Sequence, residues 1–227
     1  MLLRIPKLLS DEQLAAMHRS LDDAAPWVDG RVTAGHQGAA VKKNQQIDES
    51  SAVARELGNV IIGELERNAY FISAVLPHRV YPPMFNRYAE GMHFGTHVDG
   101  AVRTLPGTGH KLRTDLSATV FLAPPQSYDG GELLIEHDLG SETVKLGAGD
   151  MILYTSTARH RVSPVTRGVR LASVFWIQSL VREDAKRQQL FELDLTIQQL
   201  TSLNSDPESL VRLAAHYHSL LRLWTEL

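Results

Sequence analysis

Gly149-Asp150-Met151-Ile152-Leu153-Tyr154, His160-Arg161-Val162-Ser163-Pro164-Val165 and Arg170-Leu171-Ala172-Ser173-Val174-Phe175-Trp176-Ile177-Gln178 stand within thirty residues of one another. Each run is strand-length and apolar or alternating, and the breaks Gly147-Ala148-Gly149 and Arg167-Gly168 are turn chemistry. Working outward, the same texture recurs in Tyr81–Tyr88, Ser117–Leu122, Glu132–Glu136 and Glu142–Leu146, with Pro124-Pro125 and Asp129-Gly130-Gly131 between them. Short strands at regular spacing predict an antiparallel sandwich or jelly roll. No internal repeat or low-complexity tract interrupts them.

The flanks read differently. Ser10-Asp11-Glu12-Gln13 is a capping box, followed by Leu14, Met17 and Leu21 at helical spacing, and this helix should end before Pro26. A polar, Gly-containing stretch from Asp29 to Gln46 comes next. A second helix is predicted from about Glu49 to Asn68, with Val53, Leu57, Val60, Ile61 and Leu65 on its apolar face. Beyond Gln178 a helix is predicted from Val181 to about Leu203. Asp206-Pro207 opens another, carrying Leu210, Leu213, Ala214, Tyr217, Leu220, Leu221 and Trp224. That broad apolar face must be buried on the main domain or on a second chain. The expected class is therefore α+β: residues 1–77 a helical support, 78–178 a jelly-roll core, and 179–227 a helical extension.

Composition narrows the function classes. A chain of 227 residues, 43% hydrophobic, can bury a sizeable core. A net charge of −3 gives no basic field for nucleic acid. Cysteine is absent, so disulfides and thiolate metal sites are excluded and any metal must be held by His, Asp or Glu. No apolar run reaches membrane-spanning length, and the expected location is cytoplasmic.

Against that background, His97-Val98-Asp99 and His160 stand out. About 0.6 His-x-Asp matches are expected by chance in a chain with ten histidines, so the spacing alone is weak. In an extended segment, however, residues i and i+2 share a face, so His97 and Asp99 can reach one metal while Val98 points away. Antiparallel pairing could bring His160 over them. Two imidazoles and one carboxylate form the facial ligand set that holds non-haem Fe(II) and leaves coordination positions open. Alone, a histidine such as His160 is more often a hydrogen-bonded structural residue than a ligand; the strand pattern before and after it favours the ligand reading. His93 lies near the site but outside the ligand spacing, which suits a supporting role. His18, His36, His78, His110, His137, His216 and His218 are scattered.

Arg170 opens an otherwise apolar strand. A buried charge is costly unless paired, and a planar guanidinium matches a carboxylate, such as the far end of a keto acid. The alternative is a surface arginine at a strand edge. Tyr88 could add a hydroxyl donor to the same carboxylate, or be an ordinary buried tyrosine. The stretch 100–113 holds three glycines, Pro106 and the cations Arg103, His110, Lys111 and Arg113. It reads either as a lid that draws in a carboxylate-bearing substrate or as a solvated loop.

Residues 78–178 resemble the catalytic domain of the prolyl 4-hydroxylase-like Fe(II)/2-oxoglutarate dioxygenases. The resemblance rests on Asn86-Arg87-Tyr88, His97-Val98-Asp99, Gly130-Gly131-Glu132-Leu133, Gly149 to Tyr154, His160 to Val165 and Gly168-Val169-Arg170. The whole chain, including Pro124-Pro125 and Tyr217 to Trp224, is similar to the bacterial PKHD-type hydroxylases, the PiuC/YbiX group. The resemblance implies a double-stranded β-helix, Fe(II) on His97, Asp99 and His160, and 2-oxoglutarate on Arg170. It implies O2 and a small molecule, peptide or protein side chain as reaction partners, L-ascorbate as an auxiliary reductant, and a link to bacterial iron uptake. No nucleic acid or membrane partner is expected, and the C-terminal helices are the surface through which a homo-oligomer would form.

Three rival chemistries use similar residues. A non-enzymatic iron sensor would share the triad but leave Arg170 without a role. A zinc hydrolase should also supply a positioned acid or base. A halogenase is disfavoured because Asp99 fills the position a halide would need.

Overall fold

The computed structural model describes residues 1–137 and 140–227, with side chains at all of these except positions 36, 37 and 137. The readings of His36 and His137 therefore lie outside the described side chains. Seven strands form a continuous antiparallel path, in the order Leu2–Ile5, Met151–Thr155, Leu116–Phe121, Arg170–Ser179, Met84–Tyr88, Gln45–Ile47 and Trp27–Asp29. Pro77–Val80 pairs with the far end of Arg170–Ser179 as an eighth. A second sheet runs Gly140–Val144, Leu133–His137, Arg159–Val162, His93–His97 and Lys42–Lys43.

Period-2 alternation explains the layering. Along Leu116–Phe121, Leu116, Ala118 and Val120 join Met151, Leu153, Phe175 and Ile177 in a cluster with the helical residues Leu14, Met17, Leu57, Ile61 and Leu65. Phe121, Ile152 and Tyr154 turn the other way and meet Leu133, Ile135, Val144 and Val162 of the smaller sheet. Helices thus cover one face of the large sheet, while its other face and the small sheet enclose the interior of a jelly roll.

The first helix is Asp11–Ser20, and both halves of its Ser10/Gln13 capping box are formed. The second is Ala52–Arg67, N-capped by Ser51, with the extra helix Ala69–Val75 directly after it. The N-terminal region is not helical support alone. Leu2–Ile5, Trp27–Asp29, Lys42–Lys43 and Gln45–Ile47 are strands of the two sheets. These pieces are two to four residues long, too short for an alternation to register in sequence.

The C-terminal helices are Asp184–Ser202 and Pro207–Trp224. Tyr217, Leu220, Leu221 and Trp224 pack on Leu76, Val181 and Leu190, so this part of the apolar face is covered by the chain's own domain.

The Gly130-Gly131 turn fixes how strand Leu133–His137 enters the small sheet. Gly130 has φ +71°, and a Cβ there would stand 2.0 Å from the Pro164 carbonyl oxygen. A side chain therefore meets both the left-handed penalty and a backbone collision. Gly130→Ala should destabilise the protein by about 2 kcal/mol or more, read as a lowered Tm by calorimetry.

Candidate metal and co-substrate site

Strands His93–His97 and Arg159–Val162 are adjacent and antiparallel, with His97 directly opposite His160. The His93–His97 strand ends at the first histidine, so Asp99 sits just past it rather than within an extended segment. Val98 between them is 52% exposed, at the mouth of the cavity that His97 and Asp99 line. One ligand atom each from His97, Asp99 and His160 lie within 4.8 Å of one another, a cluster able to hold one metal ion. His97 Nε2 is 4.0 Å from Asp99 Oδ1, and His160 Nε2 is 3.7 Å from Asp99 Oδ2.

Backbone carbonyls set the imidazole tautomers. The Gly95 carbonyl is 2.8 Å from His97 Nδ1, and the Ala158 carbonyl is 3.0 Å from His160 Nδ1. A carbonyl only accepts, so each Nδ1 carries the proton and each Nε2 presents its lone pair to the cluster. Burial pulls the His97 pKa down to about 4, with the neighbouring His160 adding to the effect. His97 is therefore neutral at pH 7, as a metal ligand must be. Phe94 stacks on its ring at 3.6 Å, and Tyr154 meets His160 edge-on at 5.0 Å. The Ser117 hydroxyl donates to Asp99 Oδ2 at 2.6 Å and lies 2.8 Å from Ser156 Oγ. This orients the carboxylate and leaves Oδ1 without that bond.

The three groups open onto a cavity of about 600 Å³ that also exposes Arg170, Tyr88, Asn86, Thr119 and Tyr154. Arg170 faces Tyr88 across the strand pair, its guanidinium 5.2 Å from the Tyr88 ring centre and 5.4 Å from that of Phe121. Arg170 is only 1% exposed. Among the described residues no carboxylate lies within 4.0 Å of it, and its Nε has no hydrogen-bond partner. Glu132 feels its charge but is engaged by Ser163 Oγ. Leaving a guanidinium this deep without a counter-charge is costly. Burial pushes the Tyr88 phenol up to about 12, against the opposing pull of Arg170 and Asn44, so it stays a neutral hydroxyl able to donate. The Tyr154 phenol is raised well beyond its ordinary value, chiefly by burial and then by Asp99.

The expected residues thus separate clearly. His97, Asp99, His160, Arg170 and Tyr88 share one cavity. His93 does not join the cluster; its Nδ1 is 3.4 Å from the Gly91 carbonyl. His18 is tied to the Leu122 carbonyl at 2.7 Å. The 100–113 stretch is a hairpin, Val102–Thr104 against Lys111–Arg113, anchored by the fully buried Leu112 against Tyr81, Met84 and Trp176. Its four cations are not equivalent. Arg113 is bound by Asp115 at 2.7 Å and Glu226 at 3.2 Å, and His110 and Lys111 are exposed, whereas Arg103 turns into the cavity.

Several cavity residues were not legible as such. Ser117 and Thr119 had a usable signal, since they are the polar members of an alternating strand. Lys42 had none. The Lys42-Lys43 pair reads as solvated, and only long-range pairing with His93–His97 places Lys42 inside, 8% exposed. Burial, and secondarily Arg103, pulls its ammonium down to about 8.

Residues 83–178 match the 2OG-Fe(II) oxygenase superfamily, and residues 184–226 match the PKHD-type hydroxylase C-terminal domain. PKHD-type hydroxylases of Paraburkholderia xenovorans and Burkholderia ambifaria are 58% and 59% identical over 227 residues, covering the whole of both chains in each case. The fold is shared with a Pseudomonas putida prolyl-4-hydroxylase (TM-score 0.52, 19% identity, 78% of this chain and 92% of that one). It is also shared with a Trichoplax adhaerens prolyl hydroxylase in complex with a hypoxia inducible factor peptide fragment (TM-score 0.53, 15% identity, 83% and 86%). Among the described residues no helix is long and apolar enough to cross a membrane. The chain belongs to the PKHD-type hydroxylases, enzymes of the 2OG-Fe(II) oxygenase superfamily.

Proposed function

We propose that this hydroxylase holds Fe(II) on His97, Asp99 and His160, and holds the distal carboxylate of 2-oxoglutarate on Arg170 with Tyr88 as a further donor. The observation that carries the reading is the fully buried, acid-free Arg170 in the same cavity as the triad. An iron sensor needs no second anion and would leave that guanidinium uncompensated. The donor set also fits. It is two neutral imidazoles and one carboxylate with no thiolate, suited to ferrous iron with positions left for co-substrate and oxygen. When bound, iron and 2-oxoglutarate supply the oxidative chemistry, in which O2 puts one atom into a substrate C–H bond and the keto acid leaves as succinate and CO2.

The chain's own residues do the positioning. The Gly95 and Ala158 carbonyls keep the Nε2 lone pairs of His97 and His160 aimed at the metal position. Ser117 holds Asp99 by donating to Oδ2. Arg170 and Tyr88 draw the keto acid in by its far end, which orients its near end toward the triad. Phe94, Phe121, Leu133 and Val162 keep bulk water away. The substrate is a small molecule, a peptide or a protein side chain. L-ascorbate is the reductant that keeps the iron ferrous, and bacterial iron uptake is the physiological setting.

The test is succinate release from 2-oxoglutarate by the Fe(II)-loaded protein, with O2 consumption followed in parallel. Succinate should form in step with oxygen uptake, and omitting iron should abolish both. Protein that binds Fe(II) but neither binds nor turns over 2-oxoglutarate overturns the reading. Ser117→Ala should lower Fe(II) affinity by about 10- to 100-fold, the usual cost of losing a group that orients a metal ligand, while leaving Tm nearly unchanged.

A further inference from the structure

Beyond Arg170, the same cavity holds a second cationic cluster. Lys42 Nζ lies 3.2 Å from Gln46 Oε1 and 3.3 Å from Thr33 Oγ1. The Arg103 guanidinium lies 3.9 Å from the centre of the Trp176 ring and 4.9 Å from that of Tyr81, with Nη2 3.5 Å from the Thr33 carbonyl. Both cations therefore reach the same residue, Thr33, from opposite elements. Lys42 comes from the edge strand beside His93–His97, and Arg103 from the 102–113 hairpin. Trp176 is 8% exposed, and its Nε1 has no hydrogen-bond partner.

The acids around this cluster are few and occupied. Glu49 takes the Tyr81 hydroxyl at 3.0 Å, Asp29 is paired with Arg31, and Asp99 belongs to the triad. Among the described residues no carboxylate lies within 4.0 Å of Lys42 or Arg103. The cluster thus offers N–H donors and two positive charges, with no anion of its own. Like charges brought together in a half-buried site repel unless an anion stands between them. Phe94 links it to the reacting end: Lys42 lies 5.2 Å over its ring, and the ring stacks on His97.

We propose that Lys42, Arg103 and Trp176 form a substrate-recognition subsite, and that the molecule hydroxylated carries a carboxylate held there while its reacting carbon faces the triad. This deepens the oxygenase reading and rests on the triad being the metal centre. The subsite is separate from Arg170, which serves the co-substrate.

The test uses Mn(II) at the triad as a paramagnetic reporter. Protein loaded with Mn(II) and saturated with 2-oxoglutarate is mixed with N-acetyl amino acids and, separately, their carboxamides, and NMR line broadening is recorded for each matched pair. Acids should be broadened selectively over amides. Lys42→Met and Arg103→Met should each cut that preference about tenfold, the scale of one charge-assisted hydrogen bond. Lys42→Arg should retain it. The 2-oxoglutarate Kd should move by less than about twofold in each variant, as for independent sites. Equal broadening of acids and amides overturns the proposal, as does a preference that survives both methionine variants. A 2-oxoglutarate Kd that rises with Lys42→Met also overturns it, by assigning the lysine to the co-substrate. Should wild-type protein fail to retain 2-oxoglutarate, the oxygenase reading fails, and the acid preference is then decided on the Mn(II) protein alone.

Discussion

His97→Ala and Asp99→Ala should each lower Fe(II) affinity by more than about 100-fold, beyond the 10- to 100-fold typical of losing an orienting partner, because each removes a ligand itself. Substrate-independent succinate formation should fall with it. His97 is the more informative variant. Its ring is held by the Gly95 carbonyl and by Phe94, and neither contact depends on metal. Losing the ring also leaves a void beside His160, which a melting curve would register. Asp99→Asn separates the two effects, since it keeps the shape and the capacity to accept from Ser117 but loses the charge that a divalent ion needs. Equilibrium dialysis against Fe(II) or Mn(II) gives the affinity directly. Wild-type metal affinity and turnover in both alanine variants would remove the triad from the site.

Why the clustering of His97, Asp99 and His160 is legible in the sequence, and the burial of Lys42 is not, is a matter of range. His97, Asp99 and His160 are residue types that bear chemistry anywhere, and the strand pattern around 149–178 was long enough to show that their segments could pair. The register His97 opposite His160 then follows from the small sheet. Lys42 becomes a cavity residue only because a two-residue strand docks on His93–His97 and buries it. No local pattern announces a strand that short. The same limit hid Leu2–Ile5, Trp27–Asp29 and Gln45–Ile47, so the N-terminal region read as helical support when it also supplies sheet. Arg113 is the opposite case. Its sequence position places it among the hairpin cations, yet Asp115 stands two residues later and the structure pairs the two at 2.7 Å. The distinction between Arg103 and Arg113 comes from strand alternation within one hairpin: Arg103 and Leu112 are cross-strand partners that share a face, and Leu112 is fully buried on it.

Arg170→Met should weaken 2-oxoglutarate binding by about 2–5 kcal/mol, roughly 30-fold to several thousand-fold, because it removes one partner of a desolvated charge pair. Methionine is chosen to keep most of the packing against Tyr88 and Phe121, so that affinity rather than fold is measured. Arg170→Lys should recover only part of the loss, since a point ammonium does not match a carboxylate as a planar fork does. A truncated keto acid makes the assignment specific. 2-Oxobutyrate keeps the metal-chelating end of 2-oxoglutarate but lacks the distal carboxylate that Arg170 is proposed to hold. Wild-type protein should therefore prefer 2-oxoglutarate strongly, and Arg170→Met should bring the two keto acids close together. Fe(II) affinity should change much less than either, because Arg170 is not a member of the triad cluster. The measurement is competition of each keto acid for the Fe(II)-loaded protein, with the ratio of the two constants as the readout. A ratio that survives Arg170→Met would place the distal carboxylate elsewhere in the cavity, with Lys42 and Arg103 as the cations left to hold it.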